Sequence, residues 1–141
     1  MNPLFLDRFK HIPIEDDGNS FFRAIAKAVY NDEDFHLTLR YNAMNRLQMN
    51  AEKYAPFMET TYFLRAIHDH KHDGVWGKSI APMIPYIVSD ILEIGIVVYD
   101  YNAVKMVNTF TYGANEYQVT LLQISDTHYE LLEQNNNNTT M

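Results

Sequence analysis

A chain of 141 residues with 18 acidic against 11 basic side chains carries a formal charge of −7, which repels phosphate backbones and argues against general nucleic-acid binding. Its 47% apolar and 13% aromatic content excludes a disordered or fibrous protein and fits one domain that buries roughly two thirds of its unfolded surface. There is no cysteine, so disulfides, thiolate metal sites and thiol catalysis are all excluded for the chain as it stands.

No apolar run is long enough to span a bilayer, and the first nine residues have neither the basic nor the apolar segment of a signal peptide. The expectation is a soluble, intracellular protein, cytoplasmic or nuclear, monomeric and without a membrane partner. Lack of cysteine fits a reducing compartment and fits deliberate replacement equally well.

In chain order, Phe9 to Ile14 is expected to form a short edge strand beside Pro13. Asp16-Asp17-Gly18-Asn19 is a turn signal, and Ser20 to Tyr30 then sets Phe21, Phe22, Ile25, Ala26 and Val29 along one side of a buried helix. A longer helix is predicted from Asp34 to Tyr54, with Leu37, Tyr41, Met44, Leu47, Ala51 and Tyr54 as its apolar stripe and Pro56 as its end. A short helix from Thr60 to Ile67 leads into His68 to Gly74, a polar stretch read as a surface loop that Trp76-Gly77 closes.

Ser79 to Leu92 predicts another helix, in which Pro82 fits only the first turn and Pro85 marks a distortion or a later true start. Ile94 to Tyr99 has the pattern of a buried central strand, Tyr117 to Ile124 that of a second strand, and residues 100–115 between them that of a hairpin or loop. His128 to Leu132 reads as a last short strand. The organisation expected is an α+β domain over residues 1–133, with helices first and strands last, followed by a disordered Asn/Thr-rich tail over 134–141.

Three groups of residues could carry chemistry. Asp17-Gly18-Asn19-Ser20 delivers a hydroxyl to the start of a buried helix, where unpaired amides and the macrodipole favour a thiolate or an oxyanion, and Gly18 permits close backbone approach. Serine is equally a good N-cap, so spacing alone leaves capping the stronger reading. His128 and Glu130 are two apart on one strand and share a face, so the carboxylate can fix the imidazole tautomer and turn the other ring nitrogen to a nucleophile. His68, His70 and His72 with Asp69 and Asp73 invite a metal assignment, but no second cluster completes a tetrahedral shell, and no metal and no cofactor are expected.

Asp17-Gly18-Asn19-Ser20-Phe21-Phe22-Arg23-Ala24 resembles the signature Asp-Gly-(Asn/Ser)-Cys-(Leu/Phe)-(Phe/Tyr)-Arg-Ala of the ovarian tumour (OTU) family of deubiquitinases. Trp76-Gly77, the strand from Ile94 to Tyr99, and His128-Tyr129-Glu130 resemble later blocks of the same family, in the same order, so that the resemblance runs from about Phe9 to Leu132. It implies a papain-like fold with a small, mostly antiparallel central sheet flanked by helices. It also implies isopeptidase activity, ubiquitin or polyubiquitin as partner, His128 as base and Glu130 as its orienting residue. Asp17, Gly18, Asn19, Trp76 and Gly77 would then line the oxyanion and substrate region.

Two departures accompany the resemblance. Ser20 stands where the family has its cysteine nucleophile, and an alcohol must lose its proton during attack, so the chain is expected to bind ubiquitin and to turn over very slowly. Glu130 is one methylene longer than the usual Asn or Asp. Engineered replacement of a cysteine would make the natural protein an active deubiquitinase, whereas a natural serine would make it a pseudoenzyme that binds ubiquitin or another protein. The retained Asp17, His128 and Glu130 favour the former. A true serine hydrolase is the weakest reading, since no Gly-x-Ser-x-Gly elbow is present.

Overall fold

The structure is a computed structural model that describes residues 8–54, 60–77, 80–100, 108–113 and 116–134. Its strands are β1 (Phe9–Ile12), β2 (Gly95–Asp100), β3 (Asn108–Tyr112), β4 (Gln118–Ser125) and β5 (His128–Gln134). They form one sheet in the order β1-β5-β4-β2-β3, antiparallel at every pairing except the parallel β2–β4 pair. The α-helices are α1 (Ser20–Tyr30), α2 (His36–Met49), α3 (Ala51–Tyr54), α4 (Thr60–His70) and α5 (Ile84–Leu92).

Helix α1 packs on β5 and β4, α5 packs on β2 and β3, and α2 lies against α1, α4 and α5. The core between sheet and helices joins Phe21, Phe22 and Ile25 of α1 to Met44, Leu47, Phe63, Ile87, Ile96, Leu121 and Leu131. The continuous apolar run that predicted a central strand lies in β2, which is paired on both edges, and the expected hairpin is β2–β3. The edge strand forms as β1. Pro85 marks a later start, because Ala81–Met83 is a 3-10 turn and α5 begins at Ile84.

Four expectations change. The stripe of the long helix is right at Met44 and Leu47 but not at Leu37 and Tyr41, which are exposed; the buried positions of α2 are His36, Leu39, Arg40, Ala43, Met44 and Leu47. Arg40 takes a place on the inner face because the carbonyls of Gly18, His70 and Val75 accept from it there, so hydrophobicity alone misplaces the first half of the stripe. The same stretch is divided among a 3-10 turn at Glu33–Phe35, α2 and α3. His68 to His70 continue α4 for its last turn instead of joining a loop, and His70 is buried. Gln134, placed in the tail by composition, still pairs with Phe9 at the end of β5. Pro56, Ser79 and the remaining tail lie outside the described residues.

Candidate active site

The site begins at a turn made rigid from inside. Asp17 accepts from Asn19 N at 3.0 Å and Asn19 Nδ2 at 3.1 Å, and pairs with Arg23 Nη2 at 2.7 Å. Burial alone would raise its carboxyl pKa, but the Arg23 and Asn19 hydrogen bonds outweigh that and lower it to about 2. Asn19 is buried, and each of its side-chain atoms is used twice: Oδ1 accepts from Gly74 N at 2.8 Å and Arg40 Nη2 at 2.9 Å, while Nδ2 also donates to Asp73 at 2.6 Å. Gly18, at φ +82°, touches the Gly74 backbone so closely that a Cβ would stand 1.9 Å from the Gly74 carbonyl oxygen.

These contacts give the turn an internal role as well: Asp17 and Asn19 spend side-chain atoms on the protein's own loops, and Gly18 is required where the chain packs on Gly74. Gly77 likewise spends its N–H on His70 Nε2 at 2.8 Å. A carbonyl only accepts, so the 2.8 Å contact between His70 Nδ1 and Ala66 O puts the His70 proton on Nδ1 and leaves Nε2 to receive Gly77. Burial, with the Arg40 charge behind it, pushes the His70 pKa down and keeps the ring neutral.

Arg40 was invisible as a site residue in the sequence. It is fully buried and donates to His70 O at 2.9 Å, Val75 O at 2.6 Å, Gly18 O at 3.0 Å and Asn19 Oδ1, tying the 17–19 turn to the 73–75 turn. Its guanidinium carbon also lies 4.7 Å from the Phe22 ring centroid. Burial lowers its pKa to about 10, against the pull of Asp73 and Asp17. Its position four residues after His36, on a face shared with Leu39 and Met44, was the only available sign.

Ser20 opens α1 but does not cap it. Asn19 is the N-cap residue and makes no side-chain cap, so the first-turn amides of α1 are left uncapped from that side. Ser20 Oγ instead accepts from Tyr129 N at 2.8 Å and donates to Thr127 O at 3.4 Å. Thr127 and Tyr129 flank His128, so the hydroxyl is held against the chain on either side of the histidine. No hydrogen bond joins Ser20 to His128, whose Nδ1 is buried without a hydrogen-bond partner.

His128 starts β5 at an irregularity in the β4–β5 ladder between Gln123 and Ser125. Its Nε2 contacts Glu130 Oε2 at 3.0 Å. A carboxylate only accepts, so this bond places the proton on Nε2 and the lone pair of the neutral ring on Nδ1. Asp16 Oδ1 lies 3.6 Å from Nδ1, a neighbour missed because it precedes the Asp-Gly turn that drew attention. Glu130 also receives Ile14 N at 3.2 Å and contacts His11 Nε2 at 2.6 Å. Burial would raise the Glu130 pKa, but the bonds from His128, Ile14 and His11 hold it below its ordinary value.

Trp76 fastens the remaining side. It stacks on Phe21 at 5.4 Å, meets Phe22 and Tyr129 edge-on, and donates from Nε1 to Asp126 O at 3.2 Å. It therefore braces the turn just before His128. Among the described residues no group of three or more His, Asp or Glu is placed to hold a metal ion, and no helix is long and apolar enough to cross a membrane.

The model of a family described as OTU-like cysteine protease matches residues 15–130. Human OTU domain-containing protein 5 is 29% identical over 101 residues, which cover 69% of this chain and 17% of that protein. The chain thus spans about a sixth of the length of such relatives. The OTU domain of OTUD1 superposes with a TM-score of 0.74 at 21% identity, covering 92% of this chain and 89% of that one. An OTU deubiquitinase from Wolbachia pipientis wMel, solved bound to ubiquitin, superposes with a TM-score of 0.66 at 13% identity over 92% and 98% of the two chains.

Proposed function

Because the chain belongs to the OTU-like cysteine protease family, we propose that it is a ubiquitin-binding isopeptidase domain in which Ser20 occupies the place of the thiol nucleophile and turnover is very slow. The observation that carries this reading is that Ser20, at the uncapped start of a buried helix, is bonded to the backbone on either side of a histidine whose Nε2 is tied to Glu130 and whose Nδ1 makes no hydrogen bond. A thiol at position 20 would lose its proton to His128 Nδ1 and attack the isopeptide carbonyl. The α1 amides would hold the oxyanion, and the imidazolium would return the proton to the departing lysine amine. Water would then release the acyl group by the same base.

A serine hydroxyl in this setting starts far too high in pKa for helix and imidazole to ionise it, so the step that a thiolate makes readily becomes limiting. Ubiquitin as the partner is supported by the ubiquitin-bound OTU deubiquitinase whose fold this chain shares. The natural serine reading, a non-catalytic binding module, draws support from the hydroxyl being spent on Thr127 and Tyr129 with no bond to His128.

Ser20→Cys separates the two. The substituted protein should react with an electrophilic ubiquitin probe and cleave di-ubiquitin, while the chain with Ser20 does neither appreciably and both bind ubiquitin. A folded Ser20→Cys protein inert to every ubiquitin chain and probe would hand the function to the binding module.

A further inference from the structure

Glutamate has three side-chain torsions, so a glutamate that must fix an imidazole needs something to hold its own carboxylate still. The surroundings of Glu130 supply two anchors. Ile14 N donates to Oε2, the oxygen that also faces His128, and His11 takes the other oxygen, Oε1, at 2.6 Å. The two histidines therefore do not compete for one lone pair; they grip opposite ends of one carboxylate.

His11 is placed for this by the sheet. β1 pairs antiparallel with β5 so that His11 lies opposite Leu132, and Glu130 is the diagonal neighbour two residues away, within reach of long side chains on the same face. The His11 side chain is 42% exposed and that of Glu130 only 14%, so the contact joins a surface ring to an inward carboxylate 119 residues away in sequence.

We propose that His11 is a positioning residue of the active site: by donating from Nε2 to Glu130 Oε1 it fixes the orientation in which Oε2 faces His128. With Oε1 held, Oε2 keeps the His128 proton on Nε2 and the lone pair on Nδ1, which makes no hydrogen bond. Without His11, water satisfies Oε1 and Ile14 N is left as the one protein anchor besides His128 itself, so the carboxylate turns more widely about its last torsion, the imidazole exchanges tautomers, and Nδ1 is a base for only part of the time. The same grip explains how a side chain as long as glutamate serves at this position. The inference rests on the function proposed above only for its kinetic consequence.

The test starts with the chain as it is. Imidazole 15N spectra near pH 8, where histidine is ordinarily neutral, are compared for the unsubstituted protein, His11→Val and His11→Gln, with His11→Ala as a second donor-free variant in case the valine protein does not fold. His128 should carry its proton on Nε2 in the unsubstituted protein, become a mixture of tautomers in His11→Val, and recover in His11→Gln, whose amide supplies a donor at similar reach. Identical His128 signatures in all of these proteins would overturn the proposal. In the Ser20→Cys background, His11→Val should lower kcat on di-ubiquitin about tenfold with KM unchanged, and an equal kcat would overturn it too. An inert Ser20→Cys protein would count against the proposed function, while the tautomer comparison would still decide the role of His11.

Discussion

The turn that carries Ser20 and the arm that carries His128 differ in how their polar atoms are used. Around the turn, Asp17, Asn19 and Arg40 make hydrogen bonds on nearly every available atom, and two glycines at positive φ let residues 18 and 74 touch. On the arm, His128 keeps one ring nitrogen buried and without a hydrogen bond, 3.6 Å from Asp16 Oδ1, and Ser20 Oγ bonds only to the backbone of the residues on either side of that histidine. A densely bonded frame holds its shape even though Arg40 Nε is buried without a partner. What a base requires is a lone pair, which an imidazole nitrogen such as His128 Nδ1 can offer and a guanidinium nitrogen cannot.

The contrast is sharpened first by attacking the frame. Arg40→Met should be the most damaging change, leaving the carbonyls of Gly18, His70 and Val75 without their buried donor, at a cost of about 3–5 kcal/mol in urea unfolding. A loss under about 1 kcal/mol would mean that the frame is not what holds the two turns together. Gly18→Ala should follow at roughly 2–3 kcal/mol, since its Cβ collides with Gly74 O and its φ of +82° is unfavourable for alanine.

Acid should loosen the same frame. The folded pKa of Asp17, about 2, lies below its ordinary 3.8, so its contribution is present above that ordinary value and is lost as pH falls through the folded one. Allowing for solvent screening at its exposed edge, the loss amounts to about 1 kcal/mol between pH 4 and 2. Asp17→Asn should flatten that part of the stability–pH curve; an unchanged slope would assign the acid sensitivity elsewhere. The smallest effect belongs to Trp76→Phe, which forfeits the bond to Asp126 O and some ring contact, for about 0.5 kcal/mol in urea unfolding.

How much of this was legible depended on whether local pattern or distant contact set the outcome. Helix α1 was readable from Ser20 to Tyr30 because a turn signal precedes it and Phe21, Phe22 and Ile25 do face the core. β2 was readable because an unbroken β-branched run belongs in a central strand, and β2 is paired on both edges, with β3 and β4. The face of α2 was not, since Arg40 is buried by carbonyls from residues 18, 70 and 75, which no periodicity encodes. His128 and Glu130 were found as a pair because they are two apart on one strand. His11 and Asp16 reach the same group through pairing and turn geometry that only the fold supplies.

The central claim is that position 20 is an environment built for a thiolate beside a base. The chain has no cysteine, so Ser20→Cys introduces a unique thiol whose alkylation by iodoacetamide can be followed against pH without interference. Its reactivity should rise with a midpoint in the range of about 3.5 to 7.5, and adding His128→Ala should move the midpoint up towards the ordinary value of about 8.5. A thiol that titrates near 8.5 with His128 in place, and does not respond to its removal, would contradict the account.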